Sequence, residues 1–308
     1  MRIDTLSYLN AQTQGARRRA WLQEHSPAHL RECEALVRDA IAQSSPSASR
    51  SVAVLRAGAC TEIPLATLAR VSDEVTLADI DLPSMRQARA ELPFPAQRSR
   101  VRLVECDLSG GISPELQRLI ERQPWNELRA KGGRAVFDAA AQCLEDCPVP
   151  GPPAIDGLGG GSFGVVISAL VLTQLFSYPL LDILDHMQRI APALVGEQER
   201  HHHYTEAATA FRTRVIMAHL HLLRELVDQG GRVVLLSDIR GFAFTVQETD
   251  HDGQHRRALP LVPRVFPDLV RETFNVVEER QWEWITNLPE KNSFGRGYEV
   301  TGYILSAT

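Results

Sequence analysis

Short apolar runs of β type alternate with amphipathic stretches along this chain, and turn residues bound each run. Ser51–Leu55 is valine-rich and is followed by the turn Arg56-Ala57-Gly58-Ala59-Cys60-Thr61. Residues 64–69 are helix-compatible, and a second β-type run, 75–78, closes on Asp79. Residues 100–106 form a third run ending at Asp107, and 163–168 form a fourth, followed by Ala169-Leu170-Val171. Gly230-Gly231 introduces a fifth run, 232–237, and two longer ones, 274–285 and 298–306, lie near the C-terminus. Strands that alternate with helical patterns predict an α/β fold with a doubly wound, mostly parallel sheet.

The helical stretches divide the chain. Residues 3–43 read as two pieces broken near Ser26-Pro27, with Leu30, Cys33, Leu36, Val37 and Ile41 at helical spacing on the second. A serine-rich linker, 44–51, then separates an N-terminal helical extension, 1–48, from a sheet domain, 49–308. Between the third and fourth runs, 113–147 carries two or three helical patterns, and a Pro/Gly-rich segment, 148–161, leads into the fourth. This helical insertion, 113–160, is long for a plain crossover, and such insertions commonly shape substrate sites. Residues 200–227 predict one long helix with Phe211, Val215, Ala218, Leu222 and Leu226 on one stripe. The mixed segment 240–263 reads as a flap with no assigned element.

The first turn carries the most chemistry. A dinucleotide needs bare backbone at G-x-G-x-x-G beside a helix N-terminus. Here Gly58 is the first glycine, Cys60 stands where the second would be, and Glu62 opens the helix. A diphosphate a few ångströms from that carboxylate would be repelled by roughly 4 kcal/mol at an effective dielectric near 20. A cofactor with a cationic tail and no phosphate is attracted instead, and S-adenosylmethionine meets that description. Asp79 lies about twenty residues past the glycine turn, where a doubly wound fold holds the ribose hydroxyls. The plainer reading of Glu62 is a first-turn acid that stabilises the helix dipole.

The run Val54-Leu55-Arg56-Ala57-Gly58-Ala59-Cys60-Thr61-Glu62-Ile63-Pro64-Leu65 resembles the first motif of class I S-adenosylmethionine-dependent methyltransferases. The bacterial form is V-L-G-A-G-x-C-x-D-[IL]-x-L, with Arg56 here replacing the first glycine and Glu62 the aspartate. Leu77-Ala78-Asp79-Ile80-Asp81 resembles the second motif, and the resemblance extends over residues 50–308. It implies a seven-stranded Rossmann-like sheet with an antiparallel C-terminal strand, N-terminal helices and a helical insertion. It also implies S-adenosylmethionine as cofactor, with Ala57, Gly58 and Ala59 shaping the turn and Glu62 facing the methionine ammonium. Asp79 and Ile80 would then sit at the ribose and Asp107 with Leu108 at the adenine, while Ser168 and Ala169 complete the cofactor set. The implied acceptor is a small molecule, contacted by Gln174 and Tyr178 just past the fourth strand. Gln174 reads equally as a solvent-facing residue at a helix start. In this family N-terminal helices often close over the cleft, which makes Tyr8 and Trp21 candidates. The same helices read equally as a layer outside the sheet or as a homodimer interface.

Methyl transfer from an activated sulfonium depends mainly on positioning and charge complementarity, and a base matters only if the acceptor must lose a proton. His203 and Tyr204, in the run His201-His202-His203-Tyr204, are the candidates for that catalytic role. Successive helix residues point about 100° apart, so three adjacent imidazoles do not converge on one metal, and no metal is expected. Trp282 and Trp284, two apart on a strand, read as packing rather than as a cation cage.

Composition narrows the partners. The chain has 33 basic against 38 acidic residues, and no basic block interleaved with aromatics, so no nucleic-acid surface is expected. Without a long apolar run or an N-terminal apolar core the expectation is a cytoplasmic protein that does not enter membranes, its five cysteines reduced. Two rivals remain. A non-catalytic S-adenosylmethionine- or nucleoside-binding module of the same fold would explain Arg56 as a lapsed motif, and an NAD-dependent oxidoreductase is opposed by Glu62 and the missing glycines.

Overall fold

Valine, isoleucine and alanine fill β1 (Ser51–Leu55) and β4 (Phe163–Ala169), which pair in parallel at the centre of the sheet. A strand covered on both faces has no polar side to show, hence the unbroken apolar runs. The computed structural model describes residues 15–193, 200–244, 257–289 and 294–307. β2 (Glu74–Asp79) flanks β1, and β3 (Val101–Glu105) forms the parallel edge beyond it. On the other side β5 (Val227–Phe244) follows β4 in parallel, and β8 (Gly295–Ala307) runs antiparallel between β5 and β7 (Phe274–Asn287). The main path is therefore β3-β2-β1-β4-β5-β8-β7. The doubly wound, mostly parallel sheet with its antiparallel C-terminal strand is as the sequence predicts.

Two details differ. An eighth strand, β6 (Arg257–Pro260), pairs antiparallel with the far end of β5 and lies off the main path. It arises in the segment assigned no element, because four residues are too few to show a period. β5 also runs well past the predicted 232–237, since β8 pairs with it as far as Phe244 opposite Gly295.

Alternate residues of each strand feed opposite cores. Val52 and Val54 join one cluster, and Ala53 and Leu55 the other. The first core is covered by α1 (Gly15–His25), α2 (Pro27–Gln43), α3 (Leu65–Val71) and α4 (Leu82–Ala90), through Leu22, Leu36, Leu68 and Met85. The short α5 (Pro95–Ser99) precedes β3. The second core receives α6 (Ile112–Arg122), α7 (Trp125–Lys131), α8 (Gly133–Asp146), α9 (Leu172–Ile190), α10 (His202–Leu226) and α11 (Phe266–Thr273). The predicted insertion is thus three consecutive helices.

The N-terminal helices form a layer of the fold. Leu36 of α2 closes over Gly302 of β8, where a side chain would collide with Leu36 and the Trp282 ring. His29 stacks on Trp284 with ring centroids 4.5 Å apart, and its Nδ1 accepts from Trp282 Nε1 at 2.9 Å. The two tryptophans therefore seat α2 on the sheet. Trp21 tilts against His25, 4.8 Å away, and Tyr8 lies outside the described residues.

Candidate active site

Three residues other than glycine adopt a positive φ among the described residues: Arg56 (56°), Cys60 (50°) and Leu170 (55°). All three follow the C-terminal ends of β1 and β4, adjacent strands whose crossovers leave in opposite directions. Each such residue costs of order 1 kcal/mol, and strain of this kind collects where backbone must meet a ligand. The gap between strands at this switch of direction is where open α/β sheets bind ligands.

Gly58, with φ of 45°, turns its backbone N–H toward the end of β2 and donates to Asp79 Oδ2 at 2.8 Å. Asp81 N donates to Asp79 Oδ1 at 3.0 Å. The buried Asp79 carboxyl is thereby fixed by two amides. Burial pushes its pKa up, against the two amides and the Arg56 charge, which hold it down. Asp81 in turn caps α4, accepting from Ser84 N at 3.0 Å and Ser84 Oγ at 2.6 Å.

A cleft of about 360 Å³ opens beside Asp79. Arg56, Asp79 and Ile80 line its floor, and Asp107, Leu108 and Ser109 line one side together with Ser113, Pro114 and Gln117 of α6. Val171, which precedes α9, and Gln174, Leu175, Tyr178, Pro179 and Asp182 of α9 form the opposite wall. Asp107 is exposed there, its Oδ1 accepting from Ser109 N at 2.8 Å and its Oδ2 from Gly111 N at 3.0 Å, which shapes the loop into α6. Gln174 Nε2 donates to Leu170 O at 3.4 Å, while its Oε1 has no partner among the described residues. Cys106 borders the cleft with its thiol pushed up to about 12 by burial, so it is not a thiolate.

Of the site residues expected from the sequence, Asp79, Ile80, Asp107, Leu108, Gln174 and Tyr178 meet in this cleft. The others do not line it. Ala57 and Ala169 are buried, and Ala59 is half-buried in the turn. Ser168 is fully buried, its Oγ 2.8 Å from Nε2 of the equally buried His219. Glu62 does not open a helix, since α3 begins at Leu65. It lies on a separate cleft with Gln23, Leu30 and Glu34 of the N-terminal helices.

His203 and Tyr204 are brought to neither wall. His203 sits half-exposed between carboxylates of α8, with Nδ1 3.2 Å from Asp138 Oδ1 and Nε2 3.1 Å from Glu145 Oε1. Those two hydrogen bonds raise its pKa. Tyr204 is buried edge-on to Phe137, its phenol pushed up to about 12 by burial. Neither residue lines the cleft, so this geometry gives no support to the catalytic role expected of them.

Sequence reasoning passed over two acids. Asp182 lies on the same face of α9 as Gln174 and Tyr178, at intervals of four, a spacing that could have revealed it. Burial and Asp185 raise its pKa. Asp238 follows the predicted end of the fifth strand. A bulge between Asp238 and Arg240 breaks the β5–β8 register, and Thr173 Oγ1 of α9 donates to Asp238 Oδ1 at 2.6 Å. Its pKa rises to about 6 by burial, with Thr173 and Arg56 opposing. Among the described residues no three His, Cys, Asp or Glu gather as metal ligands, and no helix is long and apolar enough to cross a membrane.

No family model matches the chain, and no curated protein matches it. Among solved structures it is similar to the glycopeptide N-methyltransferase MtfA complexed with S-adenosylmethionine, at 15% identity over 88% of this chain and 93% of that one, with a TM-score of 0.37. It is similar also to the CcbJ methyltransferase of Streptomyces caelestis, at 14% identity over 92% and 98%, TM-score 0.44. A putative methyltransferase of Bacillus halodurans aligns at 10% identity over 91% and 100%, TM-score 0.43. All three TM-scores lie below one half, so the chemistry of this chain rests on its own residues.

Proposed function

We propose that this chain is an S-adenosylmethionine-dependent methyltransferase acting on a small-molecule acceptor. The observation that carries the reading is Asp79: a carboxylate at the tip of β2, locked by the Gly58 and Asp81 amides, on the floor of a cleft at the sheet's switch of direction. A carboxylate held this way accepts hydrogen bonds from a vicinal diol with no reorganisation.

The residues present fit the cofactor. Ile80 and Leu108 give the cleft apolar surface alongside Asp107, suited to a purine ring, and the turn at Gly58 offers no second glycine for a pyrophosphate. The unpartnered Gln174 Oε1 leaves an acceptor on the wall for a polar ligand. When bound, S-adenosylmethionine supplies an electrophilic methyl group on a sulfonium. Asp79 would hold the ribose hydroxyls, and Asp107 with Leu108 would frame the adenine. Gln174 and Tyr178 would orient the acceptor against the open side of the cleft, excluding water from the path of attack. No residue of the cleft is assigned as a base, which suits an acceptor that attacks as a neutral amine or loses its proton after transfer.

Calorimetry with S-adenosylhomocysteine tests the cofactor, and transfer of a trideuteromethyl group into a metabolite extract, read by mass spectrometry, tests the reaction. Binding with turnover is expected. Tight binding without any labelled product supports the non-catalytic module instead, and thermal protection by NADH but not by S-adenosylhomocysteine sinks the reading.

A further inference from the structure

Arg56 occupies the place where the resembling motif has a glycine, and its side chain enters the cleft instead of leaving it. Its backbone takes the left-handed conformation a glycine would take there, at φ of 56°. An L-residue kept in that conformation at a ligand-facing turn points to a function for the side chain. The guanidinium is half-buried, shares the cleft floor with Asp79, and its charge acts on both Asp79 and Asp238. Arg56 Nε is buried and has no hydrogen-bond partner among the described residues. A purely structural arginine would direct that donor to a carbonyl or a carboxylate. Leaving it unanswered favours an acceptor supplied by the ligand.

We propose that Arg56 is a binding residue that grips the carboxylate of an α-amino acid tail, so the cleft selects a nucleoside carrying a zwitterionic amino acid over one without it. This deepens the S-adenosylmethionine reading and rests on it. The planar fork of a guanidinium matches a carboxylate bidentately, and the two flanking acids leave a negative field for the tail's ammonium. Glu62, on its separate cleft, is then not needed for that role.

The test compares S-adenosylhomocysteine with 5′-methylthioadenosine, which keeps the nucleoside and lacks the amino acid, by calorimetry on wild type, Arg56→Gly and Arg56→Lys. Glycine suits the positive φ, and thermal melting of each variant reports folding. The expected result is at least about a tenfold loss of affinity for S-adenosylhomocysteine in Arg56→Gly, a smaller loss in Arg56→Lys, and unchanged binding of 5′-methylthioadenosine. Tighter binding of S-adenosylhomocysteine by Arg56→Gly would show that the side chain obstructs the cleft, and equal losses for both ligands would show a general structural role. Either overturns the proposal. If Arg56→Gly fails to fold, the same comparison on Arg56→Lys decides. Wild type binding 5′-methylthioadenosine as tightly as S-adenosylhomocysteine overturns the proposal while leaving the nucleoside site intact. Wild type binding neither removes the cofactor reading and this inference with it.

Discussion

The backbone amide of Gly58 donates to Asp79 Oδ2 across 2.8 Å, tying the turn after the first strand to the tip of the second. One hydrogen bond thereby fixes both the shape of the turn and the orientation of the carboxylate. The cleft is pre-formed to that extent, and its chemistry can be tested residue by residue.

Asp79→Ala removes the acceptor proposed for the ribose and strands two amide donors. Affinity for S-adenosylhomocysteine should fall about tenfold to a hundredfold, as loss of hydrogen bonds to a charged group implies. Asp79→Asn, which keeps one acceptor oxygen, should fall between. Calorimetry in which Asp79→Ala binds like wild type removes the ribose assignment.

Asp238 links stability to pH. Its folded pKa is raised to about 6 from an ordinary value of 3.8, mainly by burial. The neutral form is therefore favoured by folding. That contribution is complete below about pH 4 and is lost as pH rises through about 6. Asp238→Asn should gain melting temperature relative to wild type across that interval and hold the gain above it. A difference that does not change between pH 4 and 7 would refute the shift.

His219 gives the opposite slope. Burial lowers its pKa to about 4 from 6.5, so the neutral ring is the folded form. Its contribution is present above pH 6.5 and is lost as pH falls through about 4. His219→Gln should flatten that acid limb relative to wild type, at some cost in stability at neutral pH because the Ser168 Oγ contact is disturbed. Denaturant melts at several pH values separate the two effects.

His203→Ala should leave cofactor affinity and turnover unchanged, because its imidazole is held between Asp138 and Glu145 and does not line the cleft. An NMR titration should place the wild-type ring above the usual histidine pKa, as the two carboxylates dictate. Loss of turnover in this variant would restore His203 as a catalytic candidate.

Gly302→Ala should destabilise the fold by about 1–3 kcal/mol, since Leu36 and Trp282 already close over the bare backbone. Chemical denaturation measures the loss. An unchanged midpoint would mean that α2 is not seated on β8 as described.

The sequence by itself determined the sheet and the acids at its carboxyl edge. Val52–Leu55 and 163–168 read as buried strands, because runs so apolar and valine-rich have no face to offer water. The acids Asp79 and Asp107 were legible because each closes such a run and so falls at the carboxyl edge of the sheet. What tertiary structure decided depends on which way a side chain points and on partners far away in the chain. Glu62 and His203 carry suitable chemistry, yet one faces the N-terminal helices and the other the acids of α8. Asp238 acquires its character from burial, which distant partners bring about: Thr173, 65 residues away, bonds it, and pairing with β8 sets the bulge beside it. Arg56 reads in the motif as a lost glycine, and only the folded turn directs its charge into the cleft. Periodicity reports burial, which is local, whereas convergence of charges is fixed by the path of the whole chain.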